Sequence, residues 1–257
     1  MNIFVCLKQV PDTEAALIVK EGKSINEENI KWIVSPYDEY AIEEALKLKT
    51  TVADSKVTVL TLGPKRAESV LRTGLAMGAD IAVHIETEEY IDSKTVSKAL
   101  AETIKQNDGF GVIFMGKQAI DDDSFLVHTY TAEYLNIGVA TNVTSFKYED
   151  NKVLIEREID GGAKDKIEMD SPCIIGVTKG INTPRYPSLM GMMKAKKKPI
   201  TKLSLEDVDI TSINNKLIPE KMYSPPEKIK EPKIFDGDIE TSVKEVVRLL
   251  KDEAKVL

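Results

Sequence analysis

Three consecutive aspartates, Asp121, Asp122 and Asp123, are the residues whose types and spacing most directly suggest chemistry in this chain. They follow the apolar run GVIFM, which predicts a buried strand, and they precede a segment that predicts a helix. Carboxylates suit Mg²⁺, so a metal site is one interpretation. Acidic residues near a helix N-terminus also cap free N–H groups, and a loop shaped in this way could contact a nucleotide directly. The helix-start position favours capping and loop shaping over a metal site.

A segment rich in Met and Lys, residues 189–198, is the second candidate for function. Its lysines stand on a protein that is acidic overall. Exposed Leu and Met beside a basic rim suit protein recognition, and lysines can steer an acidic partner. A solvated surface loop is the alternative. The sequence predicts a docking loop composed of Leu189, Met190, Met192, Met193, Lys194, Lys196, Lys197 and Lys198.

The sequence contains no arrangement typical of a catalytic centre. His84 and His128 are too few and too scattered for a histidine metal site, and no Ser–His–Asp set, Cys–His set or acid–base pair stands out. Neither a P-loop nor a G-x-G-x-x-G motif occurs. Phosphate would therefore have to be held by plain backbone amides at helix N-termini and a few side chains. We predict no catalytic residues.

Up to about residue 145, short apolar runs alternate with helical periods. The runs IFVCL, KVTVLTLG, DIAVHIE and GVIFMG predict strands, and amphipathic segments between and after them predict helices. Nearly continuous Val, Ile and Leu in the strands predict a parallel sheet that is covered on both faces. Ligands of such sheets bind outside the carboxyl ends of the strands. The predicted binding edge comprises residues 6–9, 62–64, 85–86 and 115–118.

The rhythm changes after Val139, where strand-like runs follow one another without helices. EDNK and DGGAK predict hairpin turns, so this part extends the sheet with antiparallel strands. Residues 200–236 are polar with scattered Pro, including SPPEKIKEP, and predict an extended arm. The end of the chain predicts an amphipathic helix with Val243, Val246, Val247 and Leu250 on one face. We therefore predict an α/β domain over 1–199 and a docking arm over 200–257.

Composition excludes several classes of protein. Charged residues make up 30% of the 257 residues and the net charge is −7, which argues against a nucleic-acid partner. No apolar run approaches the roughly 20 residues that span a bilayer, and the first residues do not resemble a signal peptide. Cys6 and Cys173 lie in strand-like apolar runs. We predict buried free thiols in a reducing compartment, hence a cytoplasmic protein without membrane insertion.

Seven motifs together resemble the β subunit of electron-transfer flavoproteins: KQVPD, SPYDEYAIEEAL, LTLGP, GLAMGAD, GKQAIDDD, EREIDGG and PRYPSLMGMMKAKKKPI. The resemblance covers nearly the whole chain. It implies a Rossmann-like, mostly parallel α/β fold of the adenine-nucleotide-binding type. It also implies an electron carrier that forms a heterodimer with a larger α subunit, on which the arm would dock. The α subunit would hold most of the redox FAD, and flavin-dependent dehydrogenases such as acyl-CoA dehydrogenases would be partners.

The resemblance further implies a second nucleotide in this subunit, which is AMP in simple carriers and another FAD in electron-bifurcating complexes that oxidise NADH. GKQAIDDD and EREIDGG resemble the AMP type, whereas KQVPDT and PYDEYA resemble the bifurcating type; we favour AMP. A stand-alone nucleotide-binding enzyme of the same fold is a further alternative, against which the arm and the docking loop argue. The implied nucleotide site comprises Cys6, Ser35, Pro36, Tyr37, Asp38, Leu62, Gly63, Gly116, Lys117, Gln118, Ala119, Ile120, Asp121, Asp122, Asp123, Ser124, Phe125, Leu126 and Val127.

Partner contacts are implied as well. Glu158 in EREIDGG would pair with an arginine of the α subunit, and Leu189 would anchor a dehydrogenase. The implied partner-binding residues are Glu158, Tyr186, Leu189, Met190, Met193, Lys194, Lys196 and Lys197. One departure concerns phosphate: the family has polar side chains after GKQAIDDD, whereas this chain has Ser124 followed by Phe-Leu-Val. Only Ser124 and backbone amides are left there to bind phosphate.

Overall fold

A computed structural model describes residues 1–107, 109–224 and 233–257. The strands are β1 (Asn2–Cys6), β2 (Gln9–Pro11), β3 (Val19–Lys20), β4 (Ser24–Ile25), β5 (Trp32–Val34), β6 (Lys56–Gly63), β7 (Ile81–Glu86), β8 (Phe110–Gly116), β9 (Gly138–Glu149), β10 (Lys152–Glu158), β11 (Lys164–Asp170), β12 (Cys173–Val177) and β13 (Thr201–Leu203). The helices are α1 (Pro36–Thr51), α2 (Glu68–Met77), α3 (Ser93–Lys105), α4 (Val127–Leu135), α5 (Leu189–Lys197) and α6 (Ile239–Asp252). Of the predicted extended stretch SPPEKIKEP, all but Ser224 lies outside the described residues.

Nine strands form the main sheet, in the order β11-β10-β9-β12-β8-β1-β6-β7-β13. From β9 to β13 every neighbouring pair is parallel. β10 pairs antiparallel with both of its neighbours. A turn at residues 150–151 connects it to β9, and a turn at residues 160–162 connects it to β11. The predicted α/β sheet with added antiparallel strands is confirmed.

The alternation of side chains along β1 divides the core into two layers. Ile3 and Val5 pack in a cluster with Ile42 of α1 and Leu71 of α2. Phe4 and Cys6 point to the other face, where they pack in a cluster with residues of α3 and α4. The sheet is therefore covered on both faces, as the apolar strands predict. This packing fixes the carboxyl ends of the strands between two helical layers.

Helix N-termini are held beside those strand ends. α1 begins after Ser35, whose N–H donates to the carbonyl of Lys8 at 2.9 Å, just beyond the end of β1. Pro36 suits the first helical position because its missing N–H would have no partner inside the helix. α3 begins after Asp92, whose carboxylate accepts the N–H of Thr95 at 2.9 Å.

The body of the protein extends beyond residue 199, where we predicted that the arm would begin. The chain divides into two compact units, Met1–Lys221 and Met222–Leu257. β13 pairs in parallel with β7, and Val208 and Ile210 are buried in the layer that contains α3. The physical reason is that a few apolar residues, spread through a polar segment, suffice to cover the open edge at β7. The described structure thus ends the body at Lys221.

The second unit contains α6, which begins after Asp238. The carboxylate of Asp238 accepts the N–H of Thr241 at 3.0 Å and so caps the helix. The predicted amphipathic helix is present, and none of its residues is buried in the described chain. No helix among the described residues is long and apolar enough to cross a membrane.

Candidate functional site

A pocket opens at the carboxyl ends of β1, β6 and β8, where the parallel sheet predicts a ligand site. Its empty space is about 800 Å³ including the solvent mouth, within the range of small-molecule sites. Predicted nucleotide-site residues in its lining are Cys6, Asp38, Leu62, Gly116, Lys117, Gln118, Ala119, Asp122, Ser124, Phe125, Leu126 and Val127. The predicted residues that do not line it are Ser35, Pro36, Tyr37, Gly63, Ile120, Asp121 and Asp123.

Sequence reasoning missed a wall of this pocket that α3 supplies. Ser93, Val96 and Leu100 lie on one face of α3 and line the pocket, and Ile91 lines it just before the helix. Their spacing of three and four residues was the available signal. Three further lining residues, Leu7, Lys8 and Met115, belong to the predicted binding edge although not to the implied nucleotide site. The lining residues absent from both predictions are Ile91, Ser93, Val96, Leu100 and His128.

Asp38, in the first turn of α1, forms hydrogen bonds with the ends of both β1 and β8. Its carboxylate accepts the N–H of Lys8 at 2.7 Å and the N–H of Gly116 at 3.0 Å. A Cβ on Gly116 would lie 2.5 Å from Oδ1 of Asp38 and 2.7 Å from Cβ of Tyr37, so only glycine allows this approach. Burial raises the pKa of Asp38 to about 7, although the two N–H donors and Lys8 oppose the shift.

The three aspartates shape the loop between β8 and α4 without capping the helix. α4 begins four residues after Asp123 and has no side-chain cap. Asp121 and Asp122 instead accept hydrogen bonds from the Lys8 ammonium at 2.8 and 2.9 Å. Asp123 accepts a hydrogen bond from the Gln118 side chain. The predicted loop shaping is therefore present, whereas the predicted capping is wrong because the chain makes a further turn before the helix.

The loop itself adopts two strained backbone positions. Asp123 and Phe125 have φ values of 46° and 56°, in the left-handed region that a bulky residue such as Phe rarely occupies. Strain of this kind persists only where surrounding contacts fix it. Among the residues that the structure describes, no group of three His, Cys, Asp or Glu side chains is arranged to hold a metal ion.

Positive charge and helix N-termini face the same pocket. The Lys117 ammonium lies 5.2 Å from the ring centre of Tyr37 and 5.4 Å from that of Phe125. No carboxylate in the described parts of the chain forms an ion pair with Lys117. The first N–H groups of α4 carry the positive end of the helix dipole. The pocket thus offers an anion an ammonium without a carboxylate partner among the described residues and an uncapped helix start.

His128 is a structural neighbour of this site rather than a proton donor for it. Its Nε2 lies 2.9 Å from the carbonyl of Lys117, and its Nδ1 lies 3.0 Å from the hydroxyl of Thr129. A carbonyl can only accept, so the neutral ring has its proton on Nε2. Burial lowers the pKa of His128, and the Lys117 carbonyl offsets the shift only in part. The ring therefore fixes the Lys117 backbone as a neutral hydrogen-bond donor.

The predicted docking loop is a helix in the structure. Ser188 caps α5 by accepting the N–H of Gly191 at 3.0 Å, and LMGMMKAKK consists mostly of good helix formers. Leu189 is 75% exposed, and Met190, Met192 and Met193 also face solvent, whereas Ala195 is buried. The predicted loop is therefore wrong in its secondary structure, because the capped helix forms across Gly191. The exposed residues of this surface are Tyr186, Leu189, Met190, Met192, Met193, Lys194, Lys196 and Lys197.

Side chains of α1 and α2 hold α5 at both of its ends. Glu43 of α1 accepts three hydrogen bonds from Arg185, two from the guanidinium at 2.7 and 2.9 Å and one from the backbone at 3.1 Å. At the C-terminal end of the helix, the Arg72 guanidinium donates to the carbonyls of Ala195 and Lys198, each at 2.6 Å. An apolar surface is therefore presented on a helix that is fixed to α1 and α2.

Glu158 is the last residue of β10 and is exposed, opposite Lys164 in the hairpin. The neighbouring residues pair within the hairpin: Arg157 with Asp165 at 3.0 Å and Glu156 with Lys166 at 3.4 Å. No such ion pair involves Glu158 within the described residues. Its carboxylate is thus available to a partner.

Comparisons with known proteins agree with this architecture. The family model described as an electron transfer flavoprotein domain matches residues 23–208. The electron transfer flavoprotein subunit beta of Bacillus subtilis is 39% identical over 262 aligned residues, which cover 100% of both chains. The mitochondrial subunit beta of Arabidopsis thaliana is 36% identical, also over 100% of both chains. The caffeyl-CoA reductase-Etf complex subunit CarD of Acetobacterium woodii is 36% identical over 82% of this chain and 81% of its own.

Proposed function

Since the chain belongs to the electron transfer flavoprotein family, as a β subunit, we propose that its pocket binds AMP as a structural nucleotide. The family membership confirms the predicted electron carrier and its heterodimer with an α subunit. The observation that carries the AMP proposal is that Lys117, which has no carboxylate partner among the described residues, and the uncapped start of α4 lie at one edge of the sheet.

The lining suits the two chemical parts of AMP. Leu62, Val96, Leu100 and Met115 offer apolar side chains for the adenine ring. The polar side chains come from the loop before α4 and from the start of α3, where the hydroxyls of Ser93 and Ser124 lie 3.5 Å apart. Helix N-termini and an ammonium are the usual partners of phosphate. Ser124 and the backbone amides after it would therefore hold the phosphate, with Lys117 as its counter-charge.

FAD, bound mainly to the α subunit, supplies the redox chemistry of the heterodimer. The residues of this chain would contribute by fixing the nucleotide loop and by presenting surfaces to partners. Neither role requires an acid–base group, which agrees with the neutral, hydrogen-bonded state of His128. The buried free thiols of Cys6 and Cys173 suit a reducing compartment, so we place the protein in the cytoplasm.

A second FAD in the pocket, in an electron-bifurcating complex that oxidises NADH, is the other candidate. The similarity to the Etf-complex subunit CarD over 82% of this chain favours it. So do Phe125, Leu126 and Val127, because aromatic and apolar side chains suit a flavin-bearing ligand better than a bare phosphate. Both candidates use the same strand ends and differ in what extends from the adenine.

The α5 surface is proposed to dock flavin-dependent dehydrogenases, of the acyl-CoA dehydrogenase kind. Leu189 and the neighbouring methionines would enter an apolar site on the partner, and Lys194, Lys196 and Lys197 would steer its approach. Exposed apolar side chains on a rigid helix support this role, since docking then requires little reordering.

The second unit is proposed to dock on the α subunit. An unburied amphipathic face on α6 is the support for this proposal, together with the Pro-rich sequence that precedes the helix. Glu158 is proposed to pair with an arginine of the α subunit, because its carboxylate stands exposed at the end of β10.

The proposed function is tested by co-purifying the chain with its α subunit and releasing the nucleotides with acid. One FAD and one AMP per heterodimer is the expected result, and two FAD would establish the bifurcating alternative. Lys117→Met should lower AMP content, whereas Lys105→Met should not, because Lys105 is paired with Glu102 on the surface. A heterodimer that releases no nucleotide beyond one FAD would refute both candidates.

A further inference from the structure

The loop proposed to hold a phosphate carries the wrong charge for that task. Asp122 lines the pocket, and Asp121 and Asp123 flank it in the same turn. Like charges at short distance disfavour each other's ionised forms, so bare carboxylates here would repel a doubly charged phosphate. A loop with this sequence requires a compensating cation before it can accept such a ligand.

Lys8 stands in the position of that cation. Its ammonium bonds to Asp121 at 2.8 Å and to Asp122 at 2.9 Å, and its side chain lines the pocket. Burial alone would lower the pKa of Lys8, but the two carboxylates outweigh burial and raise it, so the ammonium stays charged. The remaining Asp122 oxygen accepts the N–H of Ser124 at 3.1 Å.

The backbone of Lys8 is fixed independently of its side chain. Its N–H donates to the Asp38 carboxylate at 2.7 Å, and its carbonyl accepts the N–H of Ser35 at 2.9 Å. Shortening or neutralising the side chain would therefore leave these main-chain contacts in place. This makes the charge of Lys8 separable by experiment from its position in the fold.

We propose that Lys8 is the counter-charge that allows the aspartate loop to accept a phosphate-bearing adenine nucleotide. The inference rests on the proposed function of the pocket, which supplies the ligand. In this arrangement Lys8 offsets one of the two negative charges of Asp121 and Asp122, and Lys117 is left to face the phosphate. Lys8 is a positioning and charge-compensating residue, and it acts on the ligand through Asp121 and Asp122.

The experiment measures AMP and adenosine binding to the dialysed heterodimer by equilibrium dialysis. Lys8→Met should weaken AMP binding at least tenfold, which corresponds to about 1.4 kcal/mol. Adenosine binding should stay within about threefold of the parent, because adenosine has no phosphate to be repelled. The control Lys49→Met removes another ion-paired lysine, bonded to Asp80 at 2.6 Å outside the pocket, and should leave both affinities unchanged.

Charge rescue separates this inference from a merely structural role for the ion pairs. The triple variant Lys8→Met, Asp121→Asn, Asp122→Asn should recover AMP binding to within about threefold of the parent, because no uncompensated carboxylate is left at those two positions. The double variant Asp121→Asn, Asp122→Asn retains Lys8 and should bind AMP at least as tightly as the parent. It also provides the test if Lys8→Met fails to fold.

Three results would overturn the inference: unchanged AMP binding in Lys8→Met, an equal loss of AMP and adenosine binding, or a triple variant as weak as Lys8→Met. A double variant that binds AMP more weakly than the parent would likewise show that the ion pairs only stabilise the loop conformation. If the parent heterodimer binds no AMP, the proposed function fails and the inference fails with it. If the parent binds AMP and Lys8→Met binds it equally well, the inference is overturned while the proposed function stands.

Discussion

Replacing Leu189 with alanine separates docking from folding at the α5 surface. Leu189 is 75% exposed at the first position of α5, so the folded chain gains little from burying it. If a dehydrogenase buries this side chain, truncation removes apolar burial from the complex only. The variant should therefore weaken partner recognition and leave stability nearly unchanged.

The magnitude follows from the exposed fraction. Full burial of a leucine side chain contributes about 1.5–3 kcal/mol, and three quarters of this side chain is still open to burial. The loss on truncation is then about 1–2 kcal/mol, which is about five- to thirtyfold in an equilibrium constant. Alanine is a better helix former than leucine, so α5 itself should persist.

The assay is the apparent KM of the heterodimer for an electron-donating flavin dehydrogenase, with Tm measured in parallel. Leu189→Ala should raise KM about five- to thirtyfold with Tm within about 1 °C of the parent. Leu17→Ala is the matched control, since Leu17 is 50% exposed outside the α5 surface, and its KM should not change. A Leu189→Ala variant that melts several degrees lower with intact partner kinetics would show that the leucine serves packing, and the docking assignment would fail.

Three other predictions concern the arm, the hairpin and Asp38. Deleting residues 222–257 should abolish co-purification with the α subunit while the circular-dichroism spectrum of the body is retained; full recovery of the heterodimer would contradict the proposed docking of the arm. Glu158→Ala should leave FAD content unchanged and slow electron transfer with the dehydrogenase at low salt, unlike the control Glu149→Ala at the end of β9, beside the opposite end of β10; equal rates would exclude an ion pair at Glu158. Because burial raises the pKa of Asp38 to about 7, its stabilising contribution is present below about pH 4 and is lost as pH rises through about 7. The free energy of unfolding of the parent should therefore fall between pH 4 and 7, by up to about 1.4 kcal/mol per pH unit, and Asp38→Asn should make this fall less steep in urea titrations. Parent and variant profiles that run parallel would contradict the raised pKa of Asp38.

The sheet, and the position of a pocket at the carboxyl ends of its strands, were predictable because their signal is local. Continuous apolar runs such as GVIFMG mark strands that are buried on both faces, and the loop after each strand then lies at one edge. The wall formed by α3 was missed because it becomes visible only when the helix is packed on the sheet. Val96 and Leu100 look like ordinary core residues in the sequence, although they also line the pocket.

The features that the sequence did not predict depend on contacts between residues that are distant in the chain. Lys8 and Asp121 are separated by more than a hundred positions and meet only because β1 and β8 are neighbours in the sheet. The start of the arm was misplaced because the open edge of β7 recruits β13 from a polar segment. The helical state of α5 depends on Ser188 and on contacts with α1 and α2, which outweigh the interrupting glycine.

The way in which α5 is held has a consequence for how this surface can vary. Arg72 donates to the carbonyl oxygens of Ala195 and Lys198 at the end of the helix, and Glu43 accepts from Arg185 before it, so these hydrogen bonds use none of the side chains of Leu189, Met190 and Met193. Substitutions at Leu189, Met190 or Met193 therefore leave the attachment of α5 intact. If these residues dock a dehydrogenase as proposed, selection can exchange one redox partner for another at these positions without first having to find compensating mutations in the body.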